Sequence, residues 1–84
     1  MTKKTFKQAL EKLEDDIRFA VKLGSKETEA RGYYLMGVLT LDNGTKKDKD
    51  LAKHYLQRAK KIATALNIKE LVDSVEKEIT GKWW

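Results

Sequence analysis

Lys46, Lys49, Lys53 and Lys60 recur at intervals of three, four and seven residues, so a helix carrying them aligns them on one outward stripe. Lys47, His54, Arg58 and Lys61 align on the next. Residues 46–66 hold seven Lys/Arg against two Asp/Glu. Residues 1–45 hold eight against seven, and residues 67–84 three against four, so the chain's net charge of +5 is concentrated in one segment. A cationic helix face suits an acidic protein surface, a nucleic acid or an anionic membrane. The competing expectation is a solvated face that keeps the chain in solution. Asp48 and Asp50 at the start of the segment, and the lack of base-stacking aromatics on its basic face, weigh against nucleic acid. The partner-binding candidates are therefore Lys46, Lys49, Lys53, Arg58, Lys60 and Lys61, with Lys53, Arg58 and Lys61 at the centre.

Other chemistries find little support. His54 is the only histidine and there is no cysteine, which removes disulfides, thiolate metal sites and a zinc pair. No nucleophile is placed for a triad with His54. Glu14, Asp15 and Asp16 are the densest acidic cluster, but consecutive residues of a helix point in different directions. A core this small also offers no pocket for paired-carboxylate chemistry. The five glycines match neither the dinucleotide fingerprint nor the P-loop. Trp83 and Trp84 are the remaining candidates, either covering an open end of the core or serving as an exposed aromatic anchor. No catalytic residue, metal ligand or cofactor is expected.

These residues must be carried by helices. At 84 residues the chain makes one domain with a thin core, and it contains no Pro to interrupt a helix. A first helix is expected over residues 5–23, capped by Thr5 with Gln8 and buried along Phe6, Leu10, Leu13, Ile17 and Ala20. Phe19, Val21 and Leu23 widen that stripe, Glu14 and Arg18 form an outward pair, and Gly24 stops the helix in the left-handed region. A second helix, 26–41, is capped by Ser25, with Glu27 and Glu29 at its positive end. It is apolar nearly all round and so central, with Gly37 marking a close helix contact. Tyr33 and Tyr34 are read as core, or else as the lining of a groove. Asp42 to Thr45 make a turn, and Thr45 with Asp48, or Asp48 alone, caps a third helix, 46–66, buried along Ala52, Tyr55, Ala59, Ile62 and Leu66. Asn67 ends it and can cap a fourth, 68–80, buried along Ile68, Leu71, Val72, Val75 and Ile79 and stopped by Gly81. Short connections make consecutive helices antiparallel. The fold class is all-α, a compact antiparallel bundle of four helices. The longest apolar run, residues 33–41, is far short of the about 20 residues a spanning helix needs.

Helices two and three resemble the tetratricopeptide type of helical hairpin repeat. Tyr33, Met36 and Gly37, then Ala52, Tyr55 and Ala59, match its aromatic, its Leu-Gly-like pair and its two Ala seven apart. The stretch Gly44-Thr45-Lys46-Lys47-Asp48 is similar to the loop of the Sel-one-like branch. Thr40 stands where that family prefers an aromatic, the loop is about one residue shorter, and no Pro closes the hairpin. The resemblance covers one repeat, residues 30–60. It implies a TPR-like central hairpin and a protein-binding adaptor without catalysis, and it names no partner.

The expectation is therefore a non-enzymatic protein-interaction module of the cytoplasm, whose partner is another protein with an acidic surface. A bacteriocin-immunity-type protein at the inner membrane surface is the first alternative, on size, charge and helix count. A nucleic-acid-binding accessory protein is the second. A homodimer is compatible with either.

Overall fold

The computed structural model describes residues 2–81. Among them are four α-helices, α1 (Lys3–Leu23), α2 (Lys26–Asn43), α3 (Lys49–Leu66) and α4 (Lys69–Gly81), with a single 3-10 turn, Lys46–Asp48, leading into α3. No strand occurs among the described residues. The four helices pack as an antiparallel all-α bundle, flattened to 33 × 28 × 16 Å. The flattening follows from the order of packing. α2 lies between α1 and α3, α3 between α2 and α4, and α4 meets α2 only along one edge.

Small residues make the centre. Ala30, Ala52, Leu56, Ala59 and Ala63 are fully buried, with Met36, Leu71 and Val75 beside them. Gly37 is a close contact of the α2–α3 seam: a Cβ there would stand 2.6 Å from Leu56 Cγ and 3.2 Å from the Ala52 carbonyl oxygen. The close contact expected at Gly37 is present. Gly32 plays the same part toward α1, where a Cβ would stand 2.6 Å from Ile17 Cγ1. Its packing role was not anticipated. Tyr33, Tyr34, Val38, Ile62 and Ile79 close over this core, half-buried.

Several local expectations need correction. Thr2, not Thr5, caps α1: its hydroxyl accepts the Thr5 N–H at 3.1 Å. Two threonines three apart offer the same cap, and Lys3 and Lys4 are good helix formers, so the helix begins at the earlier one. Ser25 stands at the start of α2 but makes no side-chain cap, and its hydroxyl donates to Thr28 Oγ1 instead. α2 runs two residues further than expected because Asn43 Nδ2 donates to the Leu39 carbonyl and Gly44 N–H to that of Thr40. The Thr45–Asp48 capping box forms, but around the 3-10 turn, so α3 proper starts at Lys49. Arg18 pairs with Asp15 rather than with Glu14. Gly24 (φ 74°) and Asn67 (φ 64°) both take the left-handed conformation and end α1 and α3 alike.

The largest correction concerns Phe19, Val21 and Leu23. They do not widen the buried stripe of α1 but stand 64%, 55% and 67% exposed. α1 packs mainly on α2, and one neighbour buries only one stripe, centred on Ile17 and Ala20, with Phe6, Leu10 and Leu13 half-buried.

Candidate functional site

Each residue of α3 is rotated about 100° from the last. Ala52, Leu56, Ala59 and Ala63 take the inner side, and the basic residues take what remains. Lys49, Lys53, Arg58 and Lys61 are exposed, as is Lys46 on the turn before the helix. They do not form one uniform stripe. Lys60 is half-buried and pairs with Glu76 of α4 at 3.3 Å. Arg58, two residues away and so on the opposite edge, lies over the Tyr33 ring of α2 at 5.1 Å from its centroid. A cation held over an aromatic face in this way is attracted by the ring quadrupole. Trp83 and Trp84 lie outside the described residues.

The edge marked by Arg58 opens into a groove along α2, flanked by α1 and α3 in its first part and by α3 alone in its second. Its first part, of about 270 Å³, is lined by Glu14, Ile17, Arg18, Tyr33, Met36 and Tyr55. Tyr33 and Tyr55 stack there, with ring centroids 6.3 Å apart and planes inclined at 24°. Burial pushes the Tyr55 phenol above its ordinary pKa, and the Glu14 carboxylate and then Tyr33 act in the same direction. The second part, a cleft of about 310 Å³, is lined by Lys26, Glu29, Arg58, Lys61, Ile62, Ala65 and Leu66. Its floor is largely apolar, three cations stand around it, and Leu66, expected in the buried stripe of α3, is 43% exposed beside it.

Glu29 is the unexpected member. It is 3% exposed, and Lys26 Nζ approaches its Oε1 at 3.4 Å. A carboxylate so buried normally keeps a cation close. The sequence reading placed it only near the positive end of α2. Its spacing with Tyr33, Met36 and Thr40, at 4, 3 and 4, is the period of an inward stripe, and that signal marks it as inward-facing.

A third cleft, of about 270 Å³, lies between α2 and α4 around Arg31, Tyr34, Leu35, Glu70, Leu71 and Ser74. Arg31 Nη2 donates to Glu70 Oε1 at 2.6 Å, which holds the guanidinium above its ordinary pKa. Both expectations for the tyrosine pair are thereby met in part: Tyr33 and Tyr34 rest on the core, and each also lines a cleft.

Among the described residues no three His, Asp or Glu side chains converge as a metal-holding group. No helix among them is long and apolar enough to cross a membrane. The chain matches no protein-family model, no curated protein and no solved structure.

Proposed function

We propose that this chain is a non-enzymatic protein-interaction module that engages an acidic surface of another protein through the basic side of α3. The observation that carries this reading is the exposure of Lys46, Lys49, Lys53, Arg58 and Lys61 on one short segment. The two acids of that segment barely offset them. Asp48 is occupied in the capping box, where Oδ2 accepts the Thr45 N–H at 2.7 Å. Charge of this kind raises the rate of encounter and selects partners more than it adds affinity. The resemblance of residues 30–60 to an adaptor repeat favours the same reading.

The test is a pull-down from host lysate, with and without nuclease, beside a Lys53→Glu/Arg58→Glu/Lys61→Glu variant. A defined protein that survives nuclease and is lost with the variant is the expected result. Retention that vanishes with nuclease makes α3 a nucleic-acid surface. Retention only with membrane fractions makes it a lipid-facing one. Either of these overturns the reading.

A further inference from the structure

We infer that the groove along α2 beside α3 is the specific part of this surface, and that it seats a short amphipathic helix of the partner carrying an apolar anchor and carboxylates at one end. This inference rests on the reading above and names the chemistry of the partner.

Three observations support it. The first is composition. Ile62, Ala65 and Leu66 offer apolar surface, while Lys26, Arg58 and Lys61 stand around them. Apolar floor and cationic rim together select a ligand that is both apolar and acidic. Poly-acid alone would leave the floor wet, and an uncharged helix would leave Arg58 and Lys61 without a carboxylate, since Glu29 already answers Lys26.

The second is continuity. Arg58, which lines the second part, lies over Tyr33, which lines the first, so the two parts are neighbours across this pair. Val21 is one turn on from Ile17 and Arg18, on the side of α1 that lines the groove, and it is 55% exposed. From Lys26 to Met36 the groove follows ten residues of α2, roughly 15 Å or about three helical turns.

The third is direction. Acids belong to the far end, where Glu14 lies and Asp15 holds Arg18. Cations belong to the Leu66 end, where Glu29 is the lone buried acid among three of them. A ligand with its carboxylates at one end is therefore bound in one orientation.

The occupant is a helix rather than an extended strand because the groove walls are helices whose backbone groups are already paired. No strand among the described residues offers a free edge to an extended chain. A helical ligand satisfies its own backbone and needs only side-chain contacts.

The probe is a synthetic amphipathic peptide of about fourteen residues, roughly 20 Å long as a helix. It carries Leu on one face and Glu clustered toward one end. Two controls replace Leu by Ser or Glu by Lys. Binding to the full chain is read by amide chemical shifts and by fluorescence anisotropy. The expected shifts centre on Lys26, Glu29, Ala65 and Leu66. Leu66→Asp, at an exposed position of the last turn of α3, should weaken binding about tenfold or more. The Leu-to-Ser control should do the same.

Shifts confined to Lys46–Lys53, with binding indifferent to Leu66→Asp and to the Ser control, overturn the groove while leaving the basic face standing. No shift at millimolar peptide overturns the inference. If phosphatidylglycerol vesicles or single-stranded DNA bind in that case, the wider reading falls with it. Because the shift map is measured on the unaltered chain, the inference stays testable even if the Leu66 variant fails to fold.

Discussion

α2 carries two glycines that face two different neighbours, and the seams they make are unequal. At Gly37 the space a Cβ would need is taken by Leu56, a fully buried side chain, and by the Ala52 carbonyl of the α3 backbone. At Gly32 the three nearest atoms all belong to the Ile17 side chain. α3 is held from both sides, by α2 and α4, whereas α1 leans mainly on α2 and leaves Phe19, Val21 and Leu23 in solvent. A glycine is therefore informative in proportion to how firmly the facing element is held. The α2–α3 seam is fixed by backbone, and the α1–α2 seam by one side chain on a helix with room to move.

The largest break in this comparison comes from Gly37→Leu. The new side chain meets Leu56 and backbone at once, and neither can withdraw without separating α2 from α3. A loss of about 3 kcal/mol or more is expected in denaturant unfolding, at the upper end of overpacking costs. In a domain of this size that is much of the total stability. Unfolding at the wild-type midpoint would show that the seam is looser than its distances.

Gly32→Ala sharpens the comparison at smaller cost. Alanine improves helix propensity by about 0.8–1.0 kcal/mol, which offsets part of the clash with Ile17. The expected net loss is about 1 kcal/mol or less, and it should be local. Amide exchange should speed up in α1 and stay slow in α3, because α1 opens without the rest. A uniform acceleration across α1, α2 and α3 would mean that the two seams are equivalent and open together.

The same inequality explains what could be read from the sequence. The helices and their order were legible because Pro is absent and apolar residues repeat at helical period in every segment. Gly37 was legible as a contact because it interrupts the most apolar helix beside Ala52 and Ala59. Phe19, Val21 and Leu23 were not, since periodicity shows that a residue is apolar and not how many neighbours its helix has. The basic side of α3 was legible as charge. Its division was not, because Lys60 turns toward Glu76 and Arg58 toward Tyr33, and those partners come from other helices. The groove depends on α1 and α3 flanking α2 without closing over it, which no local pattern encodes. Tyr33, Arg58 and Lys61 were legible as separate candidates, and the spacing of Glu29 would have added it to them.

Thr40 gives the smallest and most discriminating prediction. It lies one turn beyond Gly37, and in projection within about 80° of both glycines, where the two seams converge. It is 2% exposed, and its hydroxyl has no hydrogen-bond partner in the structure. A buried hydroxyl without a partner costs about 1–3 kcal/mol. Thr40→Val keeps the shape and the β-branching, so it removes the polar atom with little change in packing or rotamer freedom. The expected outcome is a gain of about 1 kcal/mol in denaturant unfolding, with α3 exchange slowed to match and α1 exchange unchanged. A loss of stability would mean that the hydroxyl is hydrogen-bonded through water. The end of α2 would then be hydrated, and the α2–α3 seam would be dry only over the stretch from Gly37 toward Ala30.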